Sequence, residues 1–225
     1  MKRLLLALGC LAAVVAGPAQ SADMPSVRTW TKAPAVVPFF SWQGFYVGIN
    51  GGYGFGQSSW ADNVTLLSTG NFNITGGMIG GTAGYNLQLG GWVLSLEGDI
   101  DWSNIKGSSA INCLGSCQTS NEWLGTARAR IGYAFDRFLP YVTGGAAFGG
   151  IKGTTAGAGR LSDTGAGWTG GGGLEYAFAS QWSAKVECLY VDLGKINCSA
   201  ACSGGNPFDV TFTTNVVRGG VNFRF

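Results

Sequence analysis

From residue 44 to residue 225 the chain repeatedly alternates apolar and polar residues with a period of two. Few patterns restrict a fold more tightly, because successive side chains of a strand point to opposite faces. From Trp92 to Trp102 the even positions are Trp, Leu, Leu, Gly, Ile and Trp, and the odd positions from 95 are Ser, Glu, Asp and Asp. From Trp123 to Phe135 the odd positions are Trp, Gly, Ala, Ala, Ile, Tyr and Phe, with Thr126, Arg128 and Arg130 between them. Eight such segments begin near Gly44, Gly76, Trp92, Glu122, Leu139, Gly167, Trp182 and Asn215. Their start-to-start intervals are 32, 16, 30, 17, 28, 15 and 33 residues, so long and short connections alternate strictly.

The short connections hold Gly90-Gly91, Asp136-Arg137 and Ser180-Gln181, which read as hairpin turns. The long ones cover 57–75, 107–121, 153–166 and 196–214. In an up-and-down meander, every second connection lies at the same end. One end then has three tight turns and both termini, and the other has four long loops, as in outer-membrane barrels. Each alternating run covers about 10–13 residues, against the ~9–11 that a tilted strand needs to cross a bilayer. Only a closed barrel leaves no backbone edge unpaired in lipid, and eight strands permit closure. The predicted fold class is therefore all-β: an eight-stranded antiparallel up-and-down transmembrane β-barrel with short periplasmic turns and four long extracellular loops. A soluble eight-stranded barrel is the competing reading, and it would place apolar residues inside and charges outside.

Composition agrees with lipid exposure. Charged residues are 12% of the chain and apolar residues 46%, which excludes intrinsic disorder. The 39 glycines have no three-residue period, which excludes collagen. Met1-Lys2-Arg3, the apolar run Leu4 to Val15 and the small residues up to Ser21 read as a signal peptide over 1–21. Residues 22–43, with Pro25, Pro34 and Pro38, read as a periplasmic leader without strand or helix, and 44–225 as the barrel. Loss of Lys2 and Arg3 with the signal leaves 12 basic against 12 acidic residues. A neutral chain has no electrostatic footprint for nucleic acid.

Aromatic residues mark two girdles. Trp92, Phe135, Phe178, Trp182, Phe223 and Phe225 lie near the turns, and Trp102, Trp123, Trp168 and Tyr190 near the loops. The opposite face must line the lumen. It carries Glu97, Asp99, Asp101, Glu175 and Glu187 against Arg128, Arg130, Lys185, Arg218 and Arg224. Buried charges must be paired or solvated, and eight strands enclose a space that side chains can fill. A packed charge network is predicted, with a solvated narrow pore as the alternative. Glycines inside strands, as at 80–81, 144–145 and 170–173, would give curvature and room for long side chains.

Cys113 and Cys117 fall in the second long loop, and Cys198 and Cys202 in the fourth. In an oxidising compartment each pair is expected to form a local disulfide. Cross-loop pairing and a four-cysteine zinc site are the alternatives. Cys188 has apolar-face parity. The chain has no histidine, which removes histidine-dependent triads and most zinc hydrolases. No cofactor and no enzymatic activity are expected. The glycosylation sequons at Asn63, Asn73 and Asn197 are read as incidental in a bacterial envelope.

The stretch Trp42-Gln43-Gly44-Phe45-Tyr46-Val47-Gly48-Ile49-Asn50-Gly51-Gly52-Tyr53-Gly54, the run Leu189 to Gly194, the leader Thr31 to Val37 and the ending Val216 to Phe225 resemble one family. It is the Omp25/Omp31-like outer-membrane proteins of alphaproteobacteria, within the broad OmpA-like β-barrel superfamily. The resemblance covers most of the chain after the signal. It implies an integral protein of the Gram-negative outer membrane, exposed immunogenic loops and a role in envelope integrity. It also implies that Val221, Phe223 and Phe225 form the signal read by the barrel-assembly machinery. The partners expected are outer-membrane lipid, that machinery and, through the loops, host, phage or small ligands. A narrow porin for small solutes and a loop-mediated adhesin or ligand binder are the other functional readings.

Overall fold

A computed structural model describes residues 40–62, 68–111, 117–155, 160–198 and 208–225. The predicted signal and nearly all of the leader lie outside these residues, as do Cys113, Cys202 and the sequon at Asn63. The described chain is a closed barrel of eight antiparallel strands in sequential order. They are β1 (Gly44–Asp62), β2 (Phe72–Leu89), β3 (Trp92–Ser109), β4 (Cys117–Tyr133), β5 (Phe138–Thr155), β6 (Arg160–Ala177), β7 (Trp182–Cys198) and β8 (Phe208–Arg224). β1 and β8 close the sheet over the register Tyr46↔Arg224 to Asp62↔Phe208. The Phe225 amide donates to the Phe45 carbonyl at 3.0 Å and extends that seam by one bond.

Two of the three tight turns fall where glycine or aspartate allows them. Gly90 has φ +62° and Asp136 φ +54°, both in the left-handed region that such turns need. At this end the alternation locates strands well, and Gly44, Trp92 and Trp182 begin strands as predicted.

At the loop end the strands run further than the alternation predicts. β2, β4, β6 and β8 begin at 72, 117, 160 and 208 rather than near 76, 122, 167 and 215. The long connections shrink to 63–71, 110–116, 156–159 and 199–207. Strands of 17 to 19 residues rise roughly 45 Å along a barrel axis at ordinary tilt, well beyond an apolar band of about 25 Å.

The extra length was hidden because the face pattern inverts there. In the lower part Leu96, Ile100 and Trp102 point outward and Glu97, Asp99 and Asp101 inward. Above the loop-end girdle, Ile105, Ile151, Val210 and Phe212 point inward, while Asn104, Lys106, Lys152 and Thr211 point outward. This upper segment has the apolar interior of a soluble barrel on top of the polar interior of a membrane barrel. Three irregularities accompany the change. The β3–β4 register shifts between Trp102 and Ile105, the β4–β5 register between Asn121 and Trp123, and the β7–β8 register between Asp192 and Lys195. In the last, Gly194 takes φ +69° and its amide donates to Asp192 Oδ1 at 2.8 Å. The Asp-Leu-Gly run at 192–194 is thus a β-bulge with its glycine in the position that bulge geometry favours.

Candidate functional site: the filled lumen

Strands β3, β4, β6, β7 and β8 each aim charged residues at one level of the lumen. Arg128 bridges three carboxylates: Glu97 at 2.5 Å, Asp99 at 2.9 Å and Glu187 at 3.1 Å. Arg130 joins Glu97 at 2.9 Å and Glu175 at 2.8 Å. Lys185 reaches Glu97 at 2.9 Å across the barrel. Arg218 binds Asp99 at 2.9 Å, Asp101 at 2.6 Å and Glu187 at 2.7 Å. The carboxyl and cationic ends are almost fully shielded from solvent. Nine of the ten charged residues expected in the lumen therefore form one connected layer.

Arg224 is the exception and corrects the expected five-to-five balance. It stands at the turn end, where its Nη2 donates to the Ser180 carbonyl at 2.8 Å. Its guanidinium lies 5.5 Å from the ring centre of Trp42. The cause is position, because the final residues of β8 lie below the charge layer. The layer itself holds five carboxylates and four cationic groups.

Neutral residues complete it, and charge-based reading missed them. Tyr46 donates to Glu97 at 2.7 Å and accepts from Arg130 at 3.0 Å. Tyr141 donates to Glu187 at 3.2 Å, and the Arg130 guanidinium sits 3.8 Å from its ring centre. Thr126 donates to Asp99 at 2.6 Å, and Ser183 and Asn222 serve Glu175 at 2.6 and 2.8 Å. The available signal was parity: Tyr46 falls on the face opposite Phe45 and Val47. Glycines make the room. A Cβ at Gly84 would strike the Tyr46 hydroxyl at 2.5 Å, and one at Gly52 would strike Arg218.

Two further barriers flank the charge layer. On the loop side, a buried apolar cluster spans the lumen and includes Trp60, Ile74, Ile105, Leu193, Val210 and Phe212. On the turn side Trp42, placed in the leader by its sequence, is buried beneath the barrel. Its amide donates to Gln88 Oε1 at 2.6 Å and its indole to the Asp136 carbonyl at 2.9 Å. The arrangement can hold charge and exclude solutes. Among the described residues no cluster of Cys, Asp or Glu is placed to hold a metal ion.

The remaining expected residues lie away from the lumen. Cys117 is buried. Cys198 is described only as the last backbone position of β7, and Cys113 and Cys202 lie outside the described residues. Cys188 keeps its thiol, half-buried at outer-face parity opposite Gly172 and Val217. Val221, Phe223 and Phe225 share the outer face, and the rings of Phe223 and Phe225 meet at 5.2 Å. The turn-end girdle is continuous from there, with Trp182 at 5.0 Å from Phe223. Trp102 and Trp168 are more than half exposed at the loop-end girdle, and Trp168 meets Tyr190 at 5.3 Å.

Known proteins resemble this chain along its length. The family model described as "outer membrane protein beta-barrel domain" matches residues 8–225. The 31 kDa outer-membrane immunogenic protein of Brucella melitensis is 41% identical over an alignment of 244 residues that covers 100% of both chains. The 22 kDa outer membrane protein of Rhizobium leguminosarum bv. viciae is 34% identical over 161 residues, covering 72% of this chain and 68% of its own. Among solved structures, Neisserial surface protein A aligns with a TM-score of 0.48 at 14% identity, covering 80% of this chain and 97% of its own.

Proposed function

This chain belongs to the outer membrane protein beta-barrel domain family and resides in the outer membrane, and from that premise we propose that it is a structural, non-catalytic barrel that supports envelope integrity without conducting solutes. The observation that carries this reading is the filled lumen. Among the described residues, a salt-bridged layer, an apolar cluster and Trp42 lie in series along the lumen. Charge pairs at 2.9–3.1 Å between strands on opposite sides, Lys185 with Glu97 and Arg128 with Glu187, tie the wall together across its diameter. Above the membrane, the strand extensions carry the four long connections, the surfaces for host, phage or small-ligand contact. At the turn end, the outward Val221, Phe223 and Phe225 are offered to the barrel-assembly machinery.

The test has two arms. Folded protein in planar bilayers should give no steady openings, and a strain lacking the chain should become sensitive to detergents and regain resistance with the full chain. Uniform, large openings from folded protein would replace this reading with a porin. Unchanged detergent resistance in the deletion strain would remove the envelope role.

A further inference from the structure

The outer surface of β3, β4 and β5 carries an arrangement that the lumen does not explain. A groove of about 410 Å³ opens at the loop-end girdle, lined by Ile100, Asp101, Trp102, Glu122 and Trp123; Asp101 turns its carboxylate into the lumen, towards Arg218. It exists because of two local features. The register shift between Asn121 and Trp123 places Glu122 and Trp123, consecutive residues, both on the outer side. Bulges of this kind re-aim side chains. The Trp123 indole then lies over Gly150, where a Cβ would collide with it, and so leaves the space beside Trp102 open.

Directly above the groove, one lateral row holds Lys106, Ser120 and Lys152, since Ser120 is the register partner of both lysines. Lys106 is exposed, and the Lys152 Nζ is held 2.6 Å from Glu122 Oε1. An ammonium has three donors, so that bond leaves others for a ligand. Glu122 therefore fixes Lys152 in place above the tryptophans. The three side chains Lys106, Lys152 and Glu122 carry a net positive charge. At the comparable height, the outer side of β7 and β8 carries Asp192 and Asp209 against Lys195 and is net negative. An anion is thus drawn to one sector of the rim.

We propose that this sector binds a phosphorylated lipid of the outer leaflet, with an acyl chain in the tryptophan groove and the phosphate between Lys106, Ser120 and Lys152. Apolar rings at the acyl boundary and ammonium groups at headgroup height match the two halves of such a molecule. At that position the Ser120 hydroxyl is available to donate to a phosphate oxygen between the two ammonium groups.

The full chain, folded in nanodiscs of phosphatidylcholine doped with diphosphoryl lipid A, provides the test, with native mass spectrometry counting retained lipid. Wild-type protein should retain lipid A selectively over phosphatidylcholine. The Lys106→Gln/Lys152→Gln double variant should bind it roughly 30-fold more weakly. Lys106→Arg/Lys152→Arg should retain it, and a heat-modifiability gel will show that each variant is folded. Equal retention by the glutamine variant would overturn the proposal. So would equal retention of the same lipid stripped of its phosphates. A loss confined to barrel dimers, with lipid binding unchanged, would assign the row to a second copy instead and would likewise overturn it.

Discussion

Arg128 shows what single residues do in this barrel. Its guanidinium is the one partner shared by Glu97, Asp99 and Glu187. A buried ion pair is weak evidence for net stability, but removal of one member leaves uncompensated charge in a dry interior. Arg128→Met should therefore destabilise the folded barrel by about 3–5 kcal/mol, measured by urea unfolding in lipid vesicles. A loss under 1 kcal/mol would mean that the layer is solvated. Glycines give a second contrast. Gly84 faces the Tyr46 ring and Gly98 faces lipid, where a Cβ would meet only the Thr126 carbonyl at 3.8 Å. Gly84→Val should cost about 1–3 kcal/mol through overpacking, whereas Gly98→Val should be nearly neutral. Equal effects would show that the inner glycines are not there to make room. These charged residues were legible from parity, because they alternate with the apolar residues of the same strands and so share the opposite face. Arg224 was misplaced because parity gives the face and says nothing of depth. Tyr46 and Tyr141 escaped notice because a tyrosine on its own reads as apolar.

At the scale of the strand, the two ends were legible to different degrees. Turn-end boundaries followed from Gly90, Asp136 and the abrupt start of alternation at Trp92 and Trp182. Loop-end boundaries did not, because the alternation depends on lipid outside and charge inside. Above the girdle both conditions reverse, and polar outward residues such as Asn104 and Thr211 resemble loop sequence. The reversal predicts a depth profile along one strand. Leu96, 71% exposed on the outer face, should lie near the lipid midplane, and Leu96→Arg should cost ~2–4 kcal/mol in bilayers. Asn104→Arg, on the same face of β3 but above the girdle, should cost about 0–1 kcal/mol. Equal costs at the two sites would place the membrane boundary elsewhere.

For the molecule as a whole, the barriers act in series, and series barriers make a specific prediction about conduction. The charge layer needs paired carboxylates and guanidinium groups, while the apolar cluster needs Val191, Val210 and Phe212 packed on the opposite principle. Loss of either one leaves the other across the lumen. Arg128→Ser/Arg218→Ser should open space at the level of Asp99 but leave the barrel closed, because the apolar cluster still excludes water and ions. Phe212→Ser/Val210→Ser should likewise stay closed, because the ion pairs below it remain intact. Only the fourfold combination should give steady single-channel openings in planar bilayers, with folding of every variant confirmed by its shift on heating. Conduction by the arginine variant alone would show that the apolar cluster is permeable and that the charge layer is the sole gate. Silence of the fourfold variant would move the decisive seal to Trp42, whose indole bond to Asp136 closes the turn end, and Trp42→Ala added to that background would then have to open it.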